Sequence, residues 1–261
     1  MRWFSFGGGV QSVACLVLQA QGRVNYDGFI FANVGDDSEN PDTLDYLRDV
    51  ARPFAAKHGV RFEQVAKAQT LYANLVAENR SIKIPMRLSN GAPGNRGCTG
   101  EWKIRRIMSW HLKHSGASKA NPVIVGIGFS TDEWQRIKDS PDPRQVNEYP
   151  LIDLRLSRTD CRTVIADAGL PVPPKSSCWF CPYQRLTAWQ RLKRDKPGLF
   201  ARACALEMRI QEKRGTLCKD AVWLYRPGIR LVDAVGDQPQ LIPDSMDEPT
   251  DGDCTSGYCF V

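Results

Sequence analysis

The apolar pattern changes period within the first twenty residues. RWFSF (Arg2–Phe6) predicts a short strand, and Val10, Val13, Ala14 and Val17 then recur at i, i+3, i+4 and i+7, predicting a helix that stops at Gly22. GFIFANV (Gly28–Val34) predicts a second strand, followed by the polar turn GDDSENP and a helix over about Asp42–His58. VRFEQVA (Val60–Ala66) and the strongly apolar PVIVGIGFS (Pro122–Ser130) predict two more strands. This β-α-β-α-β alternation predicts an α/β fold: a doubly wound, mainly parallel sheet with helices on both faces. Ligands in such sheets sit at the carboxyl ends of the strands.

Lys83–Gly97 (KIPMRLSNGAPGNRG) is rich in Gly, Pro and Asn, lacks periodicity and predicts a mobile surface loop. Helices are expected over about Glu101–His114 and Arg158–Ala168, a basic helical stretch over Thr187–Arg214, and a short β-like segment at Val222–Tyr225. An irregular tail runs to Val261. The division expected is residues 1–175 as a nucleotide-binding α/β domain and 176–261 as a cysteine-containing C-terminal extension packed on it.

A formal charge of +6 permits an anionic partner such as a nucleotide or nucleic acid, although solvated helix faces explain it as well. No apolar run approaches the roughly 20 residues of a membrane span. The first residues read as a buried strand and not as a signal peptide, so a cytoplasmic protein is expected. Nine cysteines are many for such a chain, where clustered cysteines point to metal or redox chemistry.

SFGGGVQS (Ser5–Ser12) places three glycines between the first strand and helix, where free backbone N–H groups and a helix dipole suit a phosphate. The loop has no lysine and matches neither GxxxxGK[ST] nor GxGxxG. Tight turns also use glycine for backbone reasons alone. SFGGGVQS, ANVGDDSENPDTLDYL and GIGFSTDEWQR occur in the order expected of the ATP-pyrophosphatase (PP-loop) superfamily, and the chain resembles its phosphoadenosine phosphosulfate (PAPS) reductase-like branch. That family's loop reads SGGxDS. Here Gly7 stands at its first serine, Val10 at the variable residue and Gln11 at the aspartate, while Ser12 is retained. The resemblance implies nucleotide contacts from Ser5, Gly7, Gly8, Gly9, Gln11, Ser12 and Asp36, with Asp36 or Asp37 in the acidic turn that holds Mg²⁺. It also implies phosphate-facing roles for Asp132, Glu133 and Arg136. Helix capping by Ser130, Thr131 and Asp132 is the plainer account of those charges.

Cys178 and Cys181 form a CxxC flanked by Trp179, Phe180 and Pro182. Such a pair ligates a metal or forms a redox couple, and its place after a Pro-rich turn disfavours the thioredoxin type. The best third ligand is Cys98, before a basic helix. Cys161 is a buried thiol or a fourth ligand, and Cys15, Cys204 and Cys218 read as packing residues. CTGEWKIRRI, the segment from Glu148 to Gln184 and DGDCTSGYCFV extend the resemblance to PAPS-reductase-like proteins of phages and actinobacteria. Sulfur-transferring superfamily members bind a [4Fe-4S] cluster through three cysteines, which implies Cys98, Cys178 and Cys181, with zinc the alternative. PAPS reductases use a C-terminal catalytic cysteine, which implies Cys259, with Cys254 as its neighbour. His111 and His114 stand at a ligand-like spacing but read as surface residues near a helix end.

These features predict an ATP-dependent sulfur-transfer enzyme that adenylates a tRNA base or the DNA backbone, with a cysteine desulfurase as sulfur donor. The alternatives are a thiol-dependent reductase of PAPS or adenosine phosphosulfate, and a metal-stabilised nucleic-acid-binding protein with a degenerate nucleotide site.

Overall fold

The computed structural model describes residues 1–77 and 81–236. In chain order these form β1 (Arg2–Phe6), α1 (Val10–Ala20), β2 (Gly28–Asn33), α2 (Pro41–Tyr46), α3 (Arg52–Lys57), β3 (Phe62–Ala66) and α4 (Leu71–Val76). There follow α5 (Arg105–His114), β4 (Val123–Ile127), β5 (Gln145–Glu148), α6 (Pro150–Asp153) and α7 (Arg158–Asp167). The last elements are α8 (Leu186–Asp195), α9 (Pro197–Thr216) and α10 (Leu231–Ala234). Leu47–Ala51 links α2 to α3, and Cys98–Ile104 leads into α5, each as a wider π turn. The chain divides into two units. Unit 1 comprises Met1–Ala68 and Thr99–Ser177; unit 2 comprises Gln69–Cys98 and the described residues from Cys178 on.

Unit 1 is the doubly wound α/β sheet. Its five strands are all parallel, in the order β3-β2-β1-β4-β5, with Phe4 opposite Phe29 on one side and Gly126 on the other. Both faces are covered, so β2 is buried at every position, as parallel strands require. Phe4, Phe6, Phe29 and Phe31 face α1, α2–α3 and α7, while Trp3, Ile30, Val125 and Ile127 face Ile107 of α5. Gly126 admits the Tyr26 ring against the sheet, since a Cβ there would lie 2.5 Å from it. The order reverses beside β1: the chain turns to β2 on one flank and later to β4 on the other. The crevice at the carboxyl ends of β1 and β4 is therefore the switch point where such sheets bind ligands. β5 is a short polar edge strand, QVNE, with no apolar alternation to predict it.

His111 is fully buried on α5, packed edge-on to Trp3 and Trp110, with neither ring nitrogen hydrogen-bonded. It is a core residue, not the surface histidine expected from the sequence. Burial pulls its pKa down to about 4. The unfolded chain takes up this proton near pH 6.5 and the folded chain only near pH 4, so stability is full above 6.5 and falls between them. At 1.36 kcal/mol per unit the loss approaches about 3 kcal/mol. His111→Leu is expected to flatten the dependence of the thermal midpoint on pH across that window; an unchanged slope would remove His111 as its cause.

Unit 2 is helical. Trp179, Phe180, Trp189, Phe200, Leu206 and Leu231 are among its buried residues. The predicted basic helix is two helices, α8 and α9, broken at Lys196–Pro197 because proline cannot supply the N–H that continuation needs. Lys83–Gly97, expected to be mobile, is tied down: Leu88 N–H donates to Ala92 O (2.9 Å) and Gly94 N–H to Met86 O (2.8 Å), with Ile84 and Met86 buried. Val222–Tyr225 forms no strand; only Trp223 bridges, antiparallel to Arg87. Glu207 of α9 is buried, and its two carboxylate oxygens accept from Leu224 N–H and Leu231 N–H, each at 2.7 Å. No described helix is long and apolar enough to cross a membrane.

Candidate functional site

The glycine loop joins β1 to α1 at the switch point. Gly8 adopts φ +77°, a left-handed conformation, and a Cβ there would meet Thr43 Cγ2 at 3.0 Å. Gly9 is the N-cap of α1 and offers no side-chain cap, and the first turn holds no acidic residue. The first N–H groups of α1 thus lack intrahelical partners and add to the positive helix end. Ser176 Oγ donates to Gly7 O, while Thr43 turns its methyl Cγ2 toward Gly8 and its Oγ1 is buried without a hydrogen-bond partner among the described residues. Ser12 Oγ is turned inward and donates to Gly9 O at 2.9 Å, bracing the turn.

Beside the loop lies a small cavity of about 20 Å³, lined by Ser5, Gly7, Ala32, Lys103 and Ile107 among others. It has room for one water-sized group, such as a phosphoryl oxygen. Lys103, from the turn before α5, brings to this cavity the positive charge that the loop itself lacks. The acidic turn after β2 splits its carboxylates. Asp36 is exposed and accepts from Asn33 Nδ2 (2.7 Å), Asp37 accepts from Ser38 Oγ (2.8 Å), and Glu39 is buried. Glu39 Oε1 accepts a long bond from Val34 N–H (3.5 Å), and Oε2 has no partner. Burial raises the Glu39 pKa, and the charge of Lys103 opposes that rise.

The segment after β4 faces the loop across the crevice. Gln11 donates to Glu133 Oε2 (3.1 Å) and accepts from Arg158 Nη1 (3.1 Å). Asp132 Oδ2 accepts from Arg158 N–H at 2.5 Å and from Ser130 Oγ at 3.3 Å, so it takes up the first N–H of α7, whose N-cap is Ser157. Arg136 pairs with Glu133 and lies 4.1 Å from the centre of the Phe129 ring. In this conformation Gln11, Asp132 and Arg136 brace the crevice.

In unit 2, Cys178 and Cys181 sit on one turn closed by Cys181 N–H to Cys178 O (3.1 Å), and Cys98 N–H donates to Lys83 O (2.6 Å). All three cysteines are partly exposed. Among the described residues no three His, Cys, Asp or Glu side chains form a group able to hold a metal ion. The thiol chemistry suits iron–sulfur or zinc, but the set Cys98, Cys178 and Cys181 is not assembled as a ligand group. Cys161 and Cys15 are buried in unit 1, and burial pushes the Cys161 thiol up to about 12. That fits a packing residue. Cys254 and Cys259 lie outside the described residues.

No protein-family model matches the chain, and no curated protein matches it. Among solved structures it is similar to the U34-tRNA thiolase NcsA from Methanococcus maripaludis with its [4Fe-4S] cluster, at a TM-score of 0.43 and 14% identity. The match covers 83% of this chain and 71% of that one. A likeness this weak bears on no residue's role.

Lys103, Glu39, Thr43 and Ser176 belong to the site on geometry alone. In the sequence Lys103 is one of several charges before and along a basic helix, and Glu39 is the third acidic residue of its turn, so neither stands out. Together the loop, helix end and Lys103 offer donors to an anion, with a buried carboxyl alongside.

Proposed function

We propose that the chain is an ATP-dependent sulfur-transfer enzyme of the PP-loop type, acting on nucleic acid. The observation that carries this reading is the uncapped N-terminus of α1 behind a left-handed Gly8, with Lys103 beside it at the carboxyl edge of a parallel sheet. Gly8, Gly9 and the first turn of α1 hold the phosphates by backbone N–H. Lys103 takes the place of the missing loop lysine. Asp36 or Asp37 binds the Mg²⁺ that arrives with the nucleotide, since such ions need one or two carboxylates beside phosphate oxygens.

A substrate oxygen attacks the α-phosphorus, the bond to the β-phosphate oxygen breaks, and pyrophosphate leaves. Lys103 and the loop amides stabilise the charge that builds on the leaving group. Sulfur from a persulfide, formed by a cysteine desulfurase, then attacks the adenylated carbon and AMP departs. In unit 2, Cys178 and Cys181 are the residues placed to carry that sulfur, one bearing the persulfide and the other resolving the resulting disulfide link. The pair is left oxidised, and an external thiol reduces it. If Cys98 joins them, the three thiolates would hold a [4Fe-4S] cluster or a zinc ion, which would supply an additional sulfur-binding centre.

Pyrophosphate release from ATP is expected only with tRNA or DNA present. Lys103→Met is expected to lower its kcat/KM at least about tenfold, as one charge-assisted contact implies. Cys178→Ser with Cys181→Ser is expected to abolish thiolation yet leave pyrophosphate release intact. Loss of both half-reactions would place the cysteines in adenylation instead. Activity with PAPS and a thiol but not with ATP would replace this reading with the reductase. Absence of any nucleotide binding would leave a nucleic-acid-binding protein. Iron, sulfide and zinc analysis of anaerobically purified protein, with Cys98→Ala beside it, tests the metal.

A further inference from the structure

Unit 2 holds an arrangement that the nucleotide chemistry does not use. Its described residues carry fifteen lysines and arginines against five aspartates and glutamates, an excess larger than the net +6 of the whole chain. Several of these arginines lie on aromatic rings around the CxxC turn. Arg87 and Arg96, on the two arms of the turn between Ile84 and Gly97, place their guanidiniums 5.3 Å and 5.2 Å from the centre of the Tyr183 ring. Arg202 lies 4.7 Å from the Tyr72 ring and 5.0 Å from that of Trp179. Tyr72 and Trp179 are 5.4 Å apart, and Trp179 and Phe180 are the residues between the two cysteines.

Two guanidiniums gathered round one ring concentrate positive charge there, which favours an anion beside them. The Arg87 backbone is pinned by two bonds with Trp223, N–H to O at 2.7 Å and O from N–H at 3.0 Å, which fixes the site before a ligand arrives. Among the described residues neither Arg87 nor Arg202 has a carboxylate partner. A guanidinium over a ring can turn its edge N–H groups to phosphate and offer its outer face to an unstacked base. Duplexes do not expose base faces, whereas single strands do.

We propose that Arg87, Arg96 and Tyr183, together with Arg202 on the Tyr72–Trp179 pair, bind single-stranded nucleic acid beside the Cys178–Cys181 turn. This deepens the reading above and rests on it for the identity of the sulfur acceptor. Phosphates bind Arg87 and Arg96 at their edges, and a base stacks over Arg202. A strand held there lies next to the thiols that carry sulfur.

The test is fluorescence anisotropy of the full chain with a labelled RNA strand, the DNA strand of the same sequence, and the duplex, over a range of salt. Wild type is expected to bind either single strand at least about tenfold more tightly than the duplex, from stacking. Arg87→Ala with Arg96→Ala is expected to weaken binding at least about tenfold and to reduce the salt slope by about 1.4, two phosphate contacts at 0.7 each. Arg87→Lys with Arg96→Lys should restore most of that slope, which a merely misfolded turn would not do. Arg202→Ala should weaken single-strand binding and leave duplex binding alone. The proposal falls if the alanine variants bind as wild type does, if the duplex binds as tightly as the strands, or if no strand binds at low salt. A chain that binds strands through these arginines but releases no pyrophosphate keeps this interface and loses the adenylation reading. The converse result removes the interface alone.

Discussion

Gly8→Val is expected to lower ATP affinity at least about tenfold, while Gly9→Ala leaves it within about twofold. The two glycines are adjacent, but only the first is held at positive φ, +77°, and only there would a Cβ press on Thr43, at 3.0 Å. A left-handed residue with a side chain costs roughly 1–2 kcal/mol, and a β-branched one more. The loop relieves that strain by rotating the peptide, which turns its N–H groups away from the phosphate position. Tenfold corresponds to about 1.4 kcal/mol, within reach of the strain alone. Gly9 has extended backbone, and a Cβ there makes an ordinary 3.8 Å contact with Ser176. Calorimetric titration with MgATP separates the cases. Equal losses in both variants would mean general disruption of the loop, and no loss in either would place the phosphates elsewhere.

Glu207→Ala carries the second large effect, on the stability of unit 2. One buried carboxylate accepts both Leu224 N–H and Leu231 N–H, the latter at the start of α10. Burial raises the Glu207 pKa, and the two amide bonds oppose that rise. Charge-assisted hydrogen bonds are worth about 1.5–3 kcal/mol each, and truncation leaves two buried donors unmatched. A loss of about 3–5 kcal/mol is expected. Glu207→Gln should lose about half as much, because its amide accepts from one N–H and turns a donor toward the other. Hydrogen exchange gives the readout: Leu224 and Leu231 amides should lose protection in the alanine variant while those of β1 keep theirs. Unaltered protection would show that other contacts fix this corner.

The strands and helices around the glycine loop were legible because each carries its own periodicity: Phe4 and Phe6 against Trp3 in β1, and Val10, Val13, Ala14 and Val17 in α1. β5 was not legible, since QVNE takes its strand form from pairing with β4 and not from its own composition. Lys83–Gly97 looked structureless because its order comes from non-periodic turn bonds of its own, such as Gly94 N–H to Met86 O, and from Trp223, far along the chain. The same limit governs the site. The glycines and the acidic turn announce themselves locally, whereas Lys103 and Glu39 acquire their setting only when α5 and β2 are packed in one unit. Of Gln11, Asp132 and Arg136 only Arg136 carries a charge that suits phosphates, and folding engages all three, with Arg158, Glu133 and Phe129.

The bracing of Gln11 also constrains how this loop can change. An aspartate at that position, as in the resembling family, would withdraw the donor from Glu133 and turn a carboxylate toward it. Like charges so placed repel. Restoring the acid in one substitution is therefore blocked by its neighbour. The path between the two loop types needs a change at Glu133 first, so the order in which the two substitutions arise decides whether the intermediate protein keeps its crevice.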